Sequence, residues 1–263
     1  MSLEALVFDV DGTLADTEET HRQAFNYAFV RYELKWEWTK PLYRDLLKIS
    51  GGKERIGHFI GTLPIGLGEK ARLCQLAGGI HRTKTELYNE LIGDGRCPLR
   101  PGVARLLAEA QEAGLRLAIA STTTAANVDA LLTRHLGRRG LQQFHSVSCG
   151  DLVQQKKPEP DVYQLALSTL GLPADRCVAF EDSQNGLRAA KAAGLFTVVT
   201  PSQWTMGDDF GGANLELPYL GDAGHPLPSE QAEAVGGPWL GVAELRSLHD
   251  VAMHVSTSER RAP

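Results

Sequence analysis

Asp9 and Asp11 stand one residue apart at the end of an apolar run, in "LVFDVDGTLADTEE" (Leu6–Glu19), with Gly12 beside them. Two carboxylates held this closely repel each other unless a positive charge sits between them. The pair therefore fits a metal site, phosphate chemistry or a solvated turn. Other apolar runs also end in polar groups. Ser121, Thr122 and Thr123 follow "LAIA", Glu181 and Asp182 close "CVAFED", and Lys157 lies beyond the weaker run "SVSCGD". Singly, each has a plainer reading as a turn former, a helix-capping residue or a surface lysine. In this order at successive strand ends, they fit phosphoryl transfer.

A hard cation such as Mg2+ takes about six oxygens and binds through one or two carboxylates with phosphate and water. Asp9, Asp182 and a backbone carbonyl near Asp11 supply such ligands, with Glu181 ligating directly or through water. The cation offsets the carboxylate repulsion and lets an anionic nucleophile approach an anionic phosphoryl group. Lys157 and the hydroxyls and amides of Ser121 and Thr122 then hold the transferring oxygens. Gly12 lets the backbone turn sharply beside the phosphate.

The elements that must position these groups are legible as short apolar runs: Ala5–Asp9, Leu117–Thr122, Cys177–Asp182, Thr197–Thr200 and, more weakly, Ser146–Asp151. Near-continuous apolar strands are those of a parallel sheet covered on both faces. Between them lie helical segments, Gly102–Ala113, Ala125–His135, Asp161–Leu170 and Asn185–Ala193, each running into a glycine that stops it. Strand alternating with helix predicts an α/β fold with a doubly wound, Rossmann-like parallel sheet. Ligands in such sheets sit beyond the carboxyl ends of the strands.

The alternation breaks after the first strand. Residues 16–97 read as an inserted helical cap domain, dividing a core made of residues 1–15 and 98–263. Asp16 is the expected N-cap, with Glu19 completing a capping box. Ala24, Phe25, Ala28, Phe29 and Tyr32 then share one helix face, and Trp36 and Trp38 read as packing residues. Beyond Met206 the chain is rich in glycine and proline, which predicts a loop-rich tail (206–263) wrapping the core.

With 263 residues, 43% hydrophobic and 22% charged, the chain has material for a real core. A net charge of -5 argues against a general nucleic-acid or acidic-membrane binder, and the apolar runs are strand-sized, too short to span a bilayer. The first strand begins almost at Met1, leaving no room for a signal peptide. The four cysteines are far apart with no CxxC pair, so reduced thiols and a cytoplasmic location are expected. Nothing marks a partner face, so a monomer is expected.

In order and context, "DVDGT", the Ser121 that ends the second strand, the lysine before "PEPD", and "EDS" resemble the four motifs of the haloacid-dehalogenase-like superfamily. The helical insertion is similar to the cap of its beta-phosphoglucomutase and phosphoglycolate-phosphatase branches. "SGGKERI", "IHRTKTE", "KKPEPDVY" and "EDSQNGLRAAKAAGL" look closer still to the CbbY-type sugar-bisphosphate phosphatases, whose members hydrolyse xylulose 1,5-bisphosphate. The resemblance covers about residues 1–205. It implies Asp9 as the nucleophile that forms an aspartyl-phosphate, Asp11 as the acid/base, and Mg2+ held by Asp9, the Asp11 carbonyl and Asp182. It also implies Ser121 and Lys157 as ligands of the transferring phosphate.

On that reading the insertion supplies specificity for a small sugar phosphate. Gly51 and Gly52 expose backbone amides as an anion nest. Lys53 or Arg55, with His81 and Lys84, is expected to grip a second phosphate. Glu18, His21 and Tyr43 are expected to face the sugar hydroxyls, although His21 and Tyr43 fit equally well as cap-core residues. Within that superfamily Asp11 and Asp182 argue against a dehalogenase, and the resemblance implies that Thr13 favours a phosphatase over a mutase. A phosphosugar mutase, a phosphoglycolate phosphatase and a receiver-like signalling domain are the alternatives. Asp11 speaks against the last, because a long-lived aspartyl-phosphate has no use for a built-in acid/base.

Overall fold

Every residue of strand β1 (Ala5–Phe8) is buried, and its side chains alternate between two layers. Ala5 and Val7 pack with one hydrophobic cluster, Leu6 and Phe8 with another. The computed structural model describes residues 2–95 and 97–259, the side chains of 255–259 excepted. Among these residues, β1 is joined by β2 (Arg116–Ala120), β3 (Ser146–Ser148), β4 (Cys177–Glu181), β5 (Phe196–Val199) and β6 (Leu215–Glu216). The sheet order is β3-β2-β1-β4-β5-β6, and every pairing is parallel. Phe8 stands in register with Ile119 of β2 and Phe180 of β4, so the residues after these three strands emerge together. This is the doubly wound α/β sheet expected from the alternation.

After β1 the chain leaves the sheet at Gly12. Its φ of 85° is left-handed, and a Cβ there would collide with the Asp182 carboxylate, so both backbone and space demand glycine. Four helices follow: α1 (Glu18–Arg31), α2 (Lys40–Leu46), α3 (Gly52–Thr62) and α4 (Leu67–Gly93). The start of α1 differs from expectation. Its N-cap is Thr17, not Asp16, and the Thr17 hydroxyl turns to Asp11. Asp16 is exposed, 3.7 Å from Arg100 Nε, and Glu19 pairs with Arg22, so no capping box forms.

These helices pack around an apolar cluster of their own. Phe25 and Phe29 of α1 both meet Trp38, Phe25 also meets Tyr43, and Trp38 meets Phe59, as tilted and edge-on rings. Trp36 stands edge-on to Phe29 and Phe59, a packing residue as expected. Truncating one such aromatic costs about 3–5 kcal/mol. The chain returns beside its point of departure, with Arg100 N donating to Leu14 O. The buried Arg100 guanidinium then donates to the carbonyls of Gly12, Thr200, Pro201 and Pro218, fixing the turn after Asp11 against the end of β5.

Helices α5 (Val103–Glu112) and α6 (Ala125–Leu136) contribute to the cluster that takes Leu6 and Phe8. Helices α7 (Asp161–Leu170) and α8 (Gln184–Ala192) contribute to the other. The tail is more structured than its composition predicts. Besides β6 it forms α9 (Ser229–Val235) and α10 (Val242–Glu259), and Leu217, Leu240 and Leu245 enter the main core. The glycines and prolines shape its turns, while spaced leucines supply the burial. Cys97, Cys149 and Cys177 are buried and Cys74 is exposed. Among the described residues, no helix is long and apolar enough to cross a membrane.

Candidate active site

The carboxyl ends of β1 and β4, with the loop before α7, bring Asp9, Lys157, Glu181 and Asp182 together. Lys157 Nζ lies 2.6 Å from both Asp9 Oδ1 and Glu181 Oε1. Glu181 is fully buried and also accepts from the Tyr163 hydroxyl. Thr205 Oγ1 donates to Asp182 Oδ2 at 3.3 Å. One ligand atom each from Asp9, Glu181 and Asp182 fall within 4.8 Å of one another.

The charge balance of this group is uneven. Three carboxylates and one ammonium sum to a formal charge of two negative units. Burial therefore raises Asp9 to about 7, against the opposing pull of Lys157, and raises Asp182 well above its usual range, with Asp9 and Glu181 adding to the effect. Burial also works against the Lys157 charge, but Asp9 and Glu181 outweigh it and hold the ammonium protonated. A divalent cation would supply the charge that is missing, and hard oxygen donors such as these carboxylates are what an ion like Mg2+ accepts. The residues present fit such an ion. Glu181 stands at ligand distance, yet one of its oxygens is already shared by Lys157 and Tyr163, so its visible work is to hold Lys157.

Asp11 belongs to a second group. His21 Nε2 donates to Asp11 Oδ1 at 2.9 Å, and Thr17 Oγ1 donates to the same oxygen. Lys84 Nζ approaches His21 Nδ1 at 2.6 Å. With Lys84 as the ammonium, which can only donate, Nδ1 accepts and the ring proton sits on Nε2. His21 also stacks on Tyr88, with ring centroids 4.0 Å apart. Burial acts to raise the Asp11 carboxyl, but His21 first, then the Thr17 hydrogen bond and the Lys84 charge, hold it well below the usual carboxylate range.

Both groups open on one cavity of about 410 Å³, within the range of small-ligand sites. Ser121, Thr122 and Thr123 line it from the end of β2. Ser121 Oγ accepts from Thr123 N, while Thr124 caps α6, so the loop both turns and presents donors. The opposite wall comes from the helical segment and includes Glu18, His21, Gly51, Gly52, Lys53, Arg55, His81 and Lys84.

That wall departs from expectation at four points. Tyr43 does not line the cavity. It is fully buried, its hydroxyl donating to Glu18 Oε2 at 2.7 Å and accepting from Arg55 Nη1 at 3.0 Å, because its ring belongs to the aromatic cluster. Arg55 is buried rather than free, with Nε shared between the Leu46 and Ile49 carbonyls, whereas Lys53 is exposed. Burial first, then neighbouring cations, lowers His81 to about 4, so at neutral pH it offers a neutral ring to an anion. Glu54 presses against Gly51, so the glycine pair at the start of α3 already faces a carboxylate.

Several contributors escaped the sequence reading. Thr17 had a weak signal, a hydroxyl beside the proposed cap. Arg100 had none, since its partners lie about 100 residues away. Lys156 lines the cavity next to Lys157 and donates to Gly150 O. Asn127 and Trp204 also line it.

The family model of the haloacid dehalogenase-like hydrolases matches residues 3–194. The chain is 50% identical over 250 residues to "Protein CbbY, plasmid" of Cupriavidus necator, covering 94% of this chain and 97% of the relative. It is 33% identical over 195 residues to "Phosphorylated carbohydrates phosphatase" of Thermotoga maritima, covering 73% and 82%. The crystal structure of a mutant CbbY from Rhodobacter sphaeroides in complex with xylulose-(1,5)bisphosphate aligns with a TM-score of 0.77 at 46% identity, over 82% of this chain and 94% of that one. The match runs through the sheet and the helical segment alike, and the chain belongs to the haloacid dehalogenase-like hydrolase family.

Proposed function

We propose that the protein is a Mg2+-dependent phosphatase of a small sugar bisphosphate, with xylulose 1,5-bisphosphate as the substrate. The observation that carries this reading is a cavity with anion-accepting groups on two facing walls. Lys157 and the Ser121–Thr123 loop stand at one wall, and Lys53, Arg55, His81 and Lys84 stand at the other. The likeness to CbbY, one member of which is solved with that bisphosphate, supports the same choice.

In this mechanism Asp9 attacks phosphorus and forms an aspartyl-phosphate. Lys157, Ser121 and the loop amides hold the transferring oxygens where charge develops. Asp11 gives its proton to the leaving oxygen of the sugar. It then takes a proton from the water that attacks phosphorus, which frees Asp9 and releases inorganic phosphate. The folded site holds Asp11 ionised, and an arriving phosphate dianion pushes the other way, favouring the protonated form that the first step needs. A bound divalent cation, held by Asp9, Asp182 and the Asp11 carbonyl, would neutralise charge on the phosphoryl oxygens. The helical segment acts as a specificity cap over residues 16–97.

The test is phosphate release from xylulose 1,5-bisphosphate, phosphoglycolate and glucose 1-phosphate, with and without magnesium. Turnover should be fastest on the bisphosphate and lost without metal. Faster release from either other compound overturns the substrate assignment. Isomerised phosphosugar without free phosphate would identify a mutase.

A further inference from the structure

The loop after β5 lies on the sheet side of the cavity, yet Trp204 belongs by contact to the helical segment. Its ring is buried in the aromatic cluster and meets Tyr43 edge-on, with centroids 5.5 Å apart. Both neighbours of Trp204 are tied. Arg44 of α2 donates to Gln203 O at 2.7 Å, and Thr205 Oγ1 donates to Asp182. Three consecutive residues thus touch α2, the aromatic cluster and a carboxylate of the catalytic end.

Tyr43 is the route from Trp204 to the cavity wall. Its hydroxyl holds Glu18 and Arg55, and both of those line the cavity. Asn185 makes another contact between the two walls, donating to Lys48 O and Ser50 Oγ. That contact is hydrogen-bonded and partly exposed, so water can replace it at little cost. The contact of Trp204 is apolar and buried, and water cannot take its place.

We infer that Trp204 is a positioning residue for substrate choice: its ring fixes Tyr43, and through Tyr43 it sets Glu18 and Arg55 over the catalytic carboxylates. This rests on the phosphatase reading. A substrate long enough to reach Glu18 and Arg55 depends on the contact. A phosphoester that occupies only the Lys157 end does not. The indole N–H is buried with no partner among the described residues, so the contact works through ring shape and phenylalanine can serve in its place.

The experiment compares the full chain with Trp204→Phe and Trp204→Leu, the latter keeping apolar bulk without a ring so that the fold survives. KM and kcat are measured on xylulose 1,5-bisphosphate and on p-nitrophenyl phosphate, with hydrogen exchange followed on the same samples. Trp204→Leu should raise KM for the bisphosphate about tenfold, the scale expected from misplaced binding groups. Its effect on p-nitrophenyl phosphate hydrolysis should be several-fold smaller, because that ester occupies only the Lys157 end. Trp204→Phe should behave as the parent. Amides at the starts of α1 and α3 should exchange faster in Trp204→Leu, while those of the central strands stay unchanged. Parallel losses on both substrates, a Phe variant as impaired as Leu, or unchanged exchange at α1 and α3 would overturn the inference. If the parent itself ignores the bisphosphate, the substrate assignment fails while the exchange comparison still decides the role of Trp204.

Discussion

His21 Nε2 lies 2.9 Å from Asp11 Oδ1, and this bond is the first link of a chain that ends at buried Lys84. The arrangement resolves a tension in the proposed mechanism. An acid/base must change protonation within one cycle, so its carboxyl cannot sit free to rotate or share its proton with solvent. His21 and Thr17 fix the carboxylate, and Lys84 fixes the ring of His21.

Replacing His21 should therefore alter the pH dependence more than the affinity. His21 is among the groups that hold Asp11 low, so its removal lets the Asp11 carboxyl rise. A depressed carboxyl stays ionised as pH falls, whereas a released one protonates at higher pH. In His21→Ala the acid limb of the kcat profile should move toward neutrality. kcat should fall about 10–100-fold, as expected when an acid/base loses its alignment, with KM little changed. The measurement is kcat across a pH series, and an unmoved acid limb contradicts the role.

Asp9→Asn should separate chemistry from stability. Asp9 is raised from 3.8 to about 7, so the folded state binds more protons than the unfolded chain across that window. Its stability contribution therefore declines as pH climbs from 4 to 7, and above that the ionised carboxylate is a net burden in the absence of metal. Asparagine fills the same space without the charge. Without magnesium at pH 8, the thermal midpoint of Asp9→Asn should match or exceed that of the parent. Phosphate release should drop more than about 10³-fold, as for the loss of a nucleophile. Magnesium should raise the midpoint of the parent more than that of the variant, because a ligand stabilises the state that binds it. Residual turnover near the parental rate would refute the nucleophile assignment.

The carboxylates and the serine that the sequence singles out are delivered by strand ends, whereas Lys157 comes from the loop before α7. Asp9, Ser121 and Asp182 follow apolar runs whose burial fixes where they emerge, so linear order carries the geometry. Tyr43 and Arg55 look like any polar pair in the sequence, and their burial follows from aromatic packing among α1, α2 and α3. Arg100 and Trp204 act through partners far along the chain, which local pattern cannot reveal. In the tail, β6 is two residues long and pairs only with Val198 and Val199, too short for any alternation to show. His81 lines the cavity wall, and its loss of charge depends on burial and on neighbours from other segments, which local pattern does not show.

Lys84 offers the pH test with the clearest sign. It is buried, its Nζ 5.0 Å from the centroids of the Phe25 and Tyr88 rings, and burial lowers it from 10.5 to about 7 although Asp11 and Glu18 pull it upward. Between pH 7 and 10.5 the unfolded chain keeps a proton that the folded state releases. The burial penalty is therefore full below about 7 and fades as pH rises toward 10.5. Lys84→Met should be more stable than the parent at pH 6–7, with the gap closing near pH 10. Binding has the opposite dependence, because the cation that attracts a phosphate is lost as pH climbs through 7. In the parent, KM for the bisphosphate should increase from pH 7 to 9, a range in which the phosphate is already a dianion, its second pKa being about 6. In Lys84→Met, KM should be high throughout and flat. Calorimetry at pH 8 in buffers of different ionisation enthalpy should show proton uptake on substrate binding by the parent, because an arriving anion draws Lys84 back to its charged form. A parental KM that stays level over this range, or a variant that retains the slope, would assign the titration to another group.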